Sequence, residues 1–289
     1  MASVDGTTRA GPRSGRLSRA FSYLARPFTR SSGAPRGSTR SNLAKFGLPL
    51  ASFAVGIGIW QLVVSLGAVQ DYIVPKPTAI VRVFFNGKVD WLHQTMVTFD
   101  EAIVGFLIGV GIGVLLAVVI SLSSILNRIL MPYVVALQVL PKVAIAPIIY
   151  IVIGFTNTSR IILIVILTFF PMVINVSTGL TDVDRNLVHL LQSLGAGPVT
   201  IFYKVRLPNS LPAFFDGLKI AVSGALVGAI VAEFVSSNSG LGFVILNSQY
   251  TFNTTAAFGA FTILTVLGLL LYAAVILLGR RLMPWYRGS

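Results

Sequence analysis

Apolar residues run through this chain in long blocks separated by short polar stretches. A helix needs ~20 predominantly apolar residues to cross the hydrocarbon core of a bilayer. Six blocks are of about that length: residues 46–66, 99–122, 131–155, 160–180, 217–235 and 255–278. The second is entered through Asp100-Glu101, the third is interrupted by Pro141 and Pro147, and the fourth holds Pro171. Pro75-Lys76-Pro77 breaks the chain ahead of a short apolar segment, 79–85, which is expected to lie along the membrane surface. The pattern predicts an all-α polytopic membrane protein with six transmembrane helices.

Composition supports that pattern and removes its competitors. Of 289 residues, 55% are hydrophobic and 11% charged, with a mean hydropathy of +0.84. A soluble domain carries about 25% charged residues, so a mostly water-facing surface is excluded. The net charge of +13 suggests nucleic acid at first, but its distribution points elsewhere. Residues 1–45 hold nine of the basic residues, from Arg9 to Lys45, with one acid, Asp5, in a stretch rich in Ser, Gly, Pro and Thr. That composition fits a transit peptide, but equally a basic disordered tail that orients the first span. The tail is the expectation, facing the anionic headgroups of a lipid bilayer, with no role for nucleic acid. The membrane domain is then 46–286. With the N-terminus inside, seventeen Lys and Arg fall on the inner side and four on the outer. The bias places both termini in the cytoplasm.

Candidate chemistry is sparse. There are no cysteines, and the two histidines, His93 and His189, stand far apart, so no metal site is expected. The phosphate-binding pattern Gly-x-x-x-x-Gly-Lys-Ser/Thr is missing, so this chain is not an ATPase. Small residues recur at helical spacing as Gly105, Gly109 and Gly113, and as Gly224 and Gly228. Such stripes let backbones approach closely, either as plain packing or as a movable contact lining a pathway. Lys142 and Glu233 lie inside predicted spans, where ionisable groups mark functional candidates because burying charge is costly. Lys142, between Pro141 and Pro147, is expected either to attract an anionic solute or to bind Glu233 or carbonyls freed at the kinks. Glu233 is expected to be structural or part of a gate. Trp60, Trp91 and His93 are read as interfacial or packing residues, and the polar 236–254 stretch as an outward-facing loop.

The longest inner connection, 181–215, is amphipathic. Leu187, Leu190, Leu191 and Leu194 share one helical face, with Asp184 as N-cap. Gly195 suits a left-handed helix end and Pro198 the first turn of a second helix, 198–206. That second helix carries Ile201, Phe202 and Val205 on one side; Pro208 is expected to stop it, and Pro212 to preface the next span. The connection is predicted to be a helix–turn–helix at the membrane surface, either an interfacial helix pair resting on lipid or a docking element that fits a groove on a cytoplasmic partner.

Gly195, nine residues, then Val205-Arg206-Leu207-Pro208 resembles the signature loop of permease subunits of bacterial ATP-binding-cassette importers. The family pattern is Glu-Ala-Ala, three residues, Gly, nine residues, aliphatic, any, Leu-Pro. Here His189, Leu190 and Leu191 stand at the Glu-Ala-Ala positions. Val74-Pro75-Lys76-Pro77, Leu140-Pro141-Lys142-Val143-Ala144-Ile145-Ala146-Pro147, Ala232-Glu233-Phe234 with Ser239-Gly240-Leu241-Gly242, and Pro284-Trp285 resemble the nitrate/sulfonate/taurine branch. The resemblance implies a type I importer permease fold in a bacterial inner membrane and a second copy of this chain. It also implies two P-loop ATPases that bind ATP and Mg, an extracytoplasmic solute-binding protein, and no cofactor on this chain. It makes Asp184, His189, Leu190, Leu194, Gly195, Ala196, Phe202, Val205, Leu207 and Pro208 the ATPase-coupling loop. An ion-coupled secondary transporter is the alternative; it would need buried carboxylates at midplane, where only Glu233 comes close. A membrane-embedded enzyme would need an acid/base pair or nucleophile motif that the chain lacks.

Overall fold

The computed structural model describes residues 39–284 except 68 and 71, with side chains from residue 47 onward. The expected tail therefore lies outside the described residues up to residue 38, as does Trp285. The chain divides into two compact units, 1–55 and 56–289. In the first, the described residues belong to helix α1 (Thr39–Ser65), where the Ser52 hydroxyl donates to the Pro49 carbonyl at 2.9 Å. The second holds the rest: α2 (Pro77–Val83), α3 (Trp91–Leu122), α4 (Ser124–Val139), a 3-10 turn (Lys142–Ile145), α5 (Ala146–Ile153) and α6 (Asn157–Thr181). Then come α7 (Arg185–Ser193), α8 (Pro198–Ile201), a π turn (Phe202–Arg206), α9 (Leu207–Ser236), α10 (Leu241–Tyr250) and α11 (Thr254–Leu282).

Among the described residues, five helices are long and apolar enough to span a membrane, and the pair α4–α5 makes a sixth if counted as one span bent by 84°. The bend has a local cause. Pro141 disfavours the helical region for the residue before it, and Leu140 is extended with ψ 139°. Pro147 falls in the first turn of α5, where its missing N–H costs nothing.

Helix α6 is the centre of the second unit, gripped between α3 and α9. Gly105, Gly109 and Gly113 of α3 face it: a methyl group built at Gly113 would stand 2.7 Å from Met172 Cβ and 3.0 Å from the Phe169 carbonyl. At Gly109 the added carbon would collide with Thr168 Oγ1 and lie 2.9 Å from the Val165 carbonyl. From the other side, Gly228 meets the Ile164 Cα and Gly224 the Leu167 carbonyl. Pro171 has no N–H to offer the Leu167 carbonyl four residues back, so the backbone oxygen left open is the one against which Gly224 closes. The resulting core joins Met172, Val176 and Leu180 of α6 to Ala117 of α3 and to Phe215, Leu218 and Ala221 of α9. In lipid, where apolar burial gives helices no drive to associate, this close backbone contact does so.

Three expectations change. α3 begins at Trp91 rather than 99, because the Asp90 side chain caps it by accepting from the His93 N–H at 3.1 Å. Pro208 does not stop the 198–206 helix. The π turn lets the Leu207 N–H reach back to the Phe202 carbonyl, and Pro208 sits in the first turn of α9, which also takes in Pro212. The expected 236–254 loop contains α10, whose Leu241, Val244 and Ile245 pack on Ala260 and Leu264 of α11. The segment 79–85 is largely α2, with Ile80 and Val83 buried, and Val83 and Trp91 close over Gly259 of α11.

Gly109→Ala should lower stability by about 1–3 kcal/mol, the usual range for overpacking. Gly111→Ala on the same helix has nothing within 4 Å of the added carbon and should be neutral or stabilising by up to about 1 kcal/mol from helix propensity. Unfolding of the detergent-solubilised variants measures both; equal effects would contradict the α3–α6 packing described here.

Candidate functional site

Two polar regions flank the packed helices, at opposite ends of α6. The first is the amphipathic connection. The Asp184 carboxylate caps α7 by accepting from the Asn186 N–H at 2.8 Å. Gly195 ends the helix with φ +80°, while its N–H donates to the Gln192 carbonyl and the Ala196 N–H to the Leu191 carbonyl. This is the paired-bond helix end that a left-handed residue permits. No atom lies within 4 Å of a carbon added at Gly195, so its backbone angle, not crowding, is what calls for glycine. Ile201 is buried, Phe202 packs on the α3–α6–α9 core, and Arg206 donates to the Ser121 carbonyl at the end of α3 at 3.1 Å. These three groups tether the connection. Around them it displays apolar side chains: Leu190 is 56% exposed, Leu194 74%, Val199 67% and Tyr203 63%. His189 is exposed, Ala196 and Val205 are half-buried, and Leu207 and Pro208 open α9.

The second region is built on Glu233, which is fully buried. Thr98 Oγ1 donates to Glu233 Oε1 at 2.7 Å, and the Gly242 N–H to Oε2 at 2.6 Å. The Leu241 N–H donates to Thr98 Oγ1 at 2.8 Å, and the Gly240 N–H to Gln94 Oε1 at 2.5 Å. The leading N–H groups of α10, which no helix can satisfy itself, are thus taken by Gln94 and Thr98 of α3 and Glu233 of α9. A carboxylate placed there also meets the positive end of the helix dipole. Gly240 has φ +103°, and a side chain on it would run into the Glu233 carboxylate. Alongside, Arg160 Nε donates to Glu101 Oε1 at 2.9 Å and its Nη1 to the Ser236 carbonyl at 2.8 Å, joining α6 to α3 and α9. Tyr150 reaches the Ala232 carbonyl at 3.0 Å. Sequence reasoning found Glu233 but missed Gln94, Thr98, Glu101 and Arg160 as its surroundings. Ser239-Gly240-Leu241-Gly242 held a signal: two glycines around one residue, placed to let backbone close on a buried acid.

Lys142 takes the second of its expected partners. Its Nζ donates to the Gln138 carbonyl at 2.7 Å, in the last turn of α4, and sits 5.4 Å from the Phe170 ring centre. A cation at a helix C-terminus opposes the helix dipole. The expected pairing with Glu233 is not among the contacts of the described residues: the Lys142 ammonium is held at the end of α4, while Glu233 accepts from Thr98 and Gly242. The glycine stripes are close contacts to α6. No group of three or more His, Cys, Asp or Glu side chains is placed to hold a metal among the described residues.

The profile of the family described as binding-protein-dependent transport system inner membrane component matches residues 109–288. The formylaminopyrimidine transport permease protein ThiX of Halalkalibacterium halodurans is 31% identical over 238 residues, 82% of this chain and 95% of the relative. A Bacillus subtilis permease assigned to aliphatic sulfonates, SsuC, is 31% identical over 236 residues, 80% of this chain and 85% of the relative. Among solved structures, a chain of the inward-facing MetNI methionine ABC transporter matches with a TM-score of 0.51 at 23% identity, covering 64% of this chain and 91% of that one. The chain therefore has the fold of an importer permease.

Thr98→Val removes the donor to Glu233 and the acceptor for the Leu241 N–H together. It should destabilise by about 1–3 kcal/mol, the range for leaving buried polar groups unmet. Hydrogen exchange at Leu241 and Gly242 should quicken while the α3–α6 contact stays protected. Unchanged exchange at those two amides would contradict the cap.

Proposed function

The chain belongs to the family of binding-protein-dependent transport system inner membrane components, with sulfonate and pyrimidine permeases among its relatives, and we propose that two copies of it form the translocation pathway of an ATP-driven importer. Its place is a bacterial inner membrane, crossed several times, with both termini on the cytoplasmic side as the Lys and Arg bias directs. The solute is a small polar or anionic nutrient: a sulfonate such as taurine, nitrate or bicarbonate, or a pyrimidine-like compound. An extracytoplasmic binding protein delivers it. ATP and Mg act on two cytoplasmic P-loop subunits, and this chain performs no chemistry of its own.

One observation carries this reading: the connection 182–206 is anchored by Ile201, Phe202 and Arg206 yet shows Leu190, Leu194, Val199 and Tyr203 to its surroundings. A merely solvated loop gains nothing from such a face, whereas a partner subunit gains a grip. Because the anchors bear on the α3–α6–α9 core, a push on this loop reaches those helices directly. Repeated pushes let a central cavity face outward and inward by turns. At the other end, Glu233 holds α10 to α3 and α9, so the outer end moves with the same helices.

Leu190→Asp with Leu194→Asp should leave the fold intact, since both side chains point outward, and should break the grip. Losing a central interface anchor costs about 2 kcal/mol or more, so affinity for the ATPase subunits should fall about thirtyfold, and uptake with it. Uptake should stop on ATP depletion and survive a protonophore when ATP is held constant. The reverse pattern would assign the chain to ion-coupled secondary transport instead.

A further inference from the structure

A cleft of about 780 Å³ opens beside α7, between that helix and the corner where α3 turns into α4. Arg128 of α4, Arg185 and His189 of α7, and Arg206 of the π turn line it, with Asn127 and Gln192 between them. No Asp or Glu is among its lining residues. The nearby Asp184 carboxylate is turned to the Asn186 N–H as the cap of α7, and Glu233 and Glu101 are engaged in the network at the other end of α6. Arg206 spends one Nη on the Ser121 carbonyl, which holds its guanidinium at the wall of the cleft. Among the described residues neither Arg128 nor Arg185 has a salt-bridge partner. Three guanidinium groups that line one cleft with no acid in its walls repel one another, and such a set is stabilised by an anion that bridges them. Guanidinium groups bind phosphate oxygens in pairs, which favours this ligand class over a halide.

We propose that this cleft is a binding site for a phosphate group, either the headgroup of an anionic phospholipid or a free phosphate. Arg128 and Asn127 come from the membrane bundle, whereas Arg185, His189 and Gln192 come from α7. A bound phosphate therefore ties α7 to the α3–α4 corner and sets how freely the exposed Leu190–Leu194 face can move. Binding at this site is read on this chain without any uptake measurement. Its failure would leave the transport reading untouched.

The test is hydrogen exchange across residues 182–206 of the full-length protein, prepared with any chains that accompany it. Three preparations are compared: phosphatidylcholine nanodiscs, the same discs with phosphatidylglycerol, and phosphatidylcholine discs in inorganic phosphate matched against chloride at equal ionic strength. Occupancy slows opening by the factor 1 + [L]/Kd, about tenfold at ten times Kd. The double variant Arg128→Gln, Arg185→Gln should abolish the slowing while the exchange of α6 stays as in the parent, which separates lost binding from lost folding. Slowing by phosphatidylglycerol alone identifies the headgroup as the source, and slowing by both identifies the phosphate group itself. No slowing by either, or equal slowing in the double variant, overturns the proposal. So does protection that appears only when an added ATPase chain binds, which would make the cleft a protein-docking surface.

Discussion

Everything in the second unit hangs on how closely α3 and α9 approach α6. Gly105, Gly109 and Gly113 on one side and Gly224 and Gly228 on the other bring backbone to backbone, in a solvent that offers helices no hydrophobic reason to associate. A side chain at these positions would not merely loosen the contact. At Gly109 it would collide with Thr168, and at Gly113 with Met172, in the middle of the central helix. The same closeness makes the three helices move together, because a tightly interlocked core shifts between discrete arrangements and does not deform smoothly.

The two polar regions are meaningful only against that interlock. At one end, Arg206 and Phe202 pin the amphipathic connection to the end of α3 and to the core. At the other, Glu233 and Thr98 pin α10 to α9 and α3, and Arg160 ties the start of α6 to Glu101 and Ser236. Buried polar groups in a membrane seek partners, and Glu233, Thr98 and Arg160 each find one on a neighbouring helix. A displacement applied at residues 184–206 therefore arrives at α10 through α3 and α9. That is the arrangement a subunit needs if force enters on one face of the membrane and access changes on the other.

Local features of the sequence carried much of this. Asp184 as cap, Gly195 as left-handed helix end and Pro198 in a first turn depend only on neighbouring residues, and each appears as the sequence implies. The break at Leu140-Pro141 was equally legible, for proline acts on the residue beside it. Pro208 misled for a physical reason. A proline is a stop when the preceding turn is α-helical, and the π turn at Phe202–Arg206 changes which carbonyl it must avoid. α10 stayed hidden because Asn247, Ser248 and Gln249 mask the spacing of Leu241, Val244 and Ile245. The partners of Glu233 lay beyond any local reading: Thr98 is 135 residues away in the chain.

The central claim is that the tethered apolar face of residues 184–206 is a seat for an ATPase. It is tested most directly by weighing the intact assembly, purified in mild detergent from native membranes, and identifying its chains. The account predicts two copies of this chain with two P-loop ATPase chains. An oligomer of this chain alone, which hydrolyses no ATP and takes up no added ATPase subunit, would contradict it.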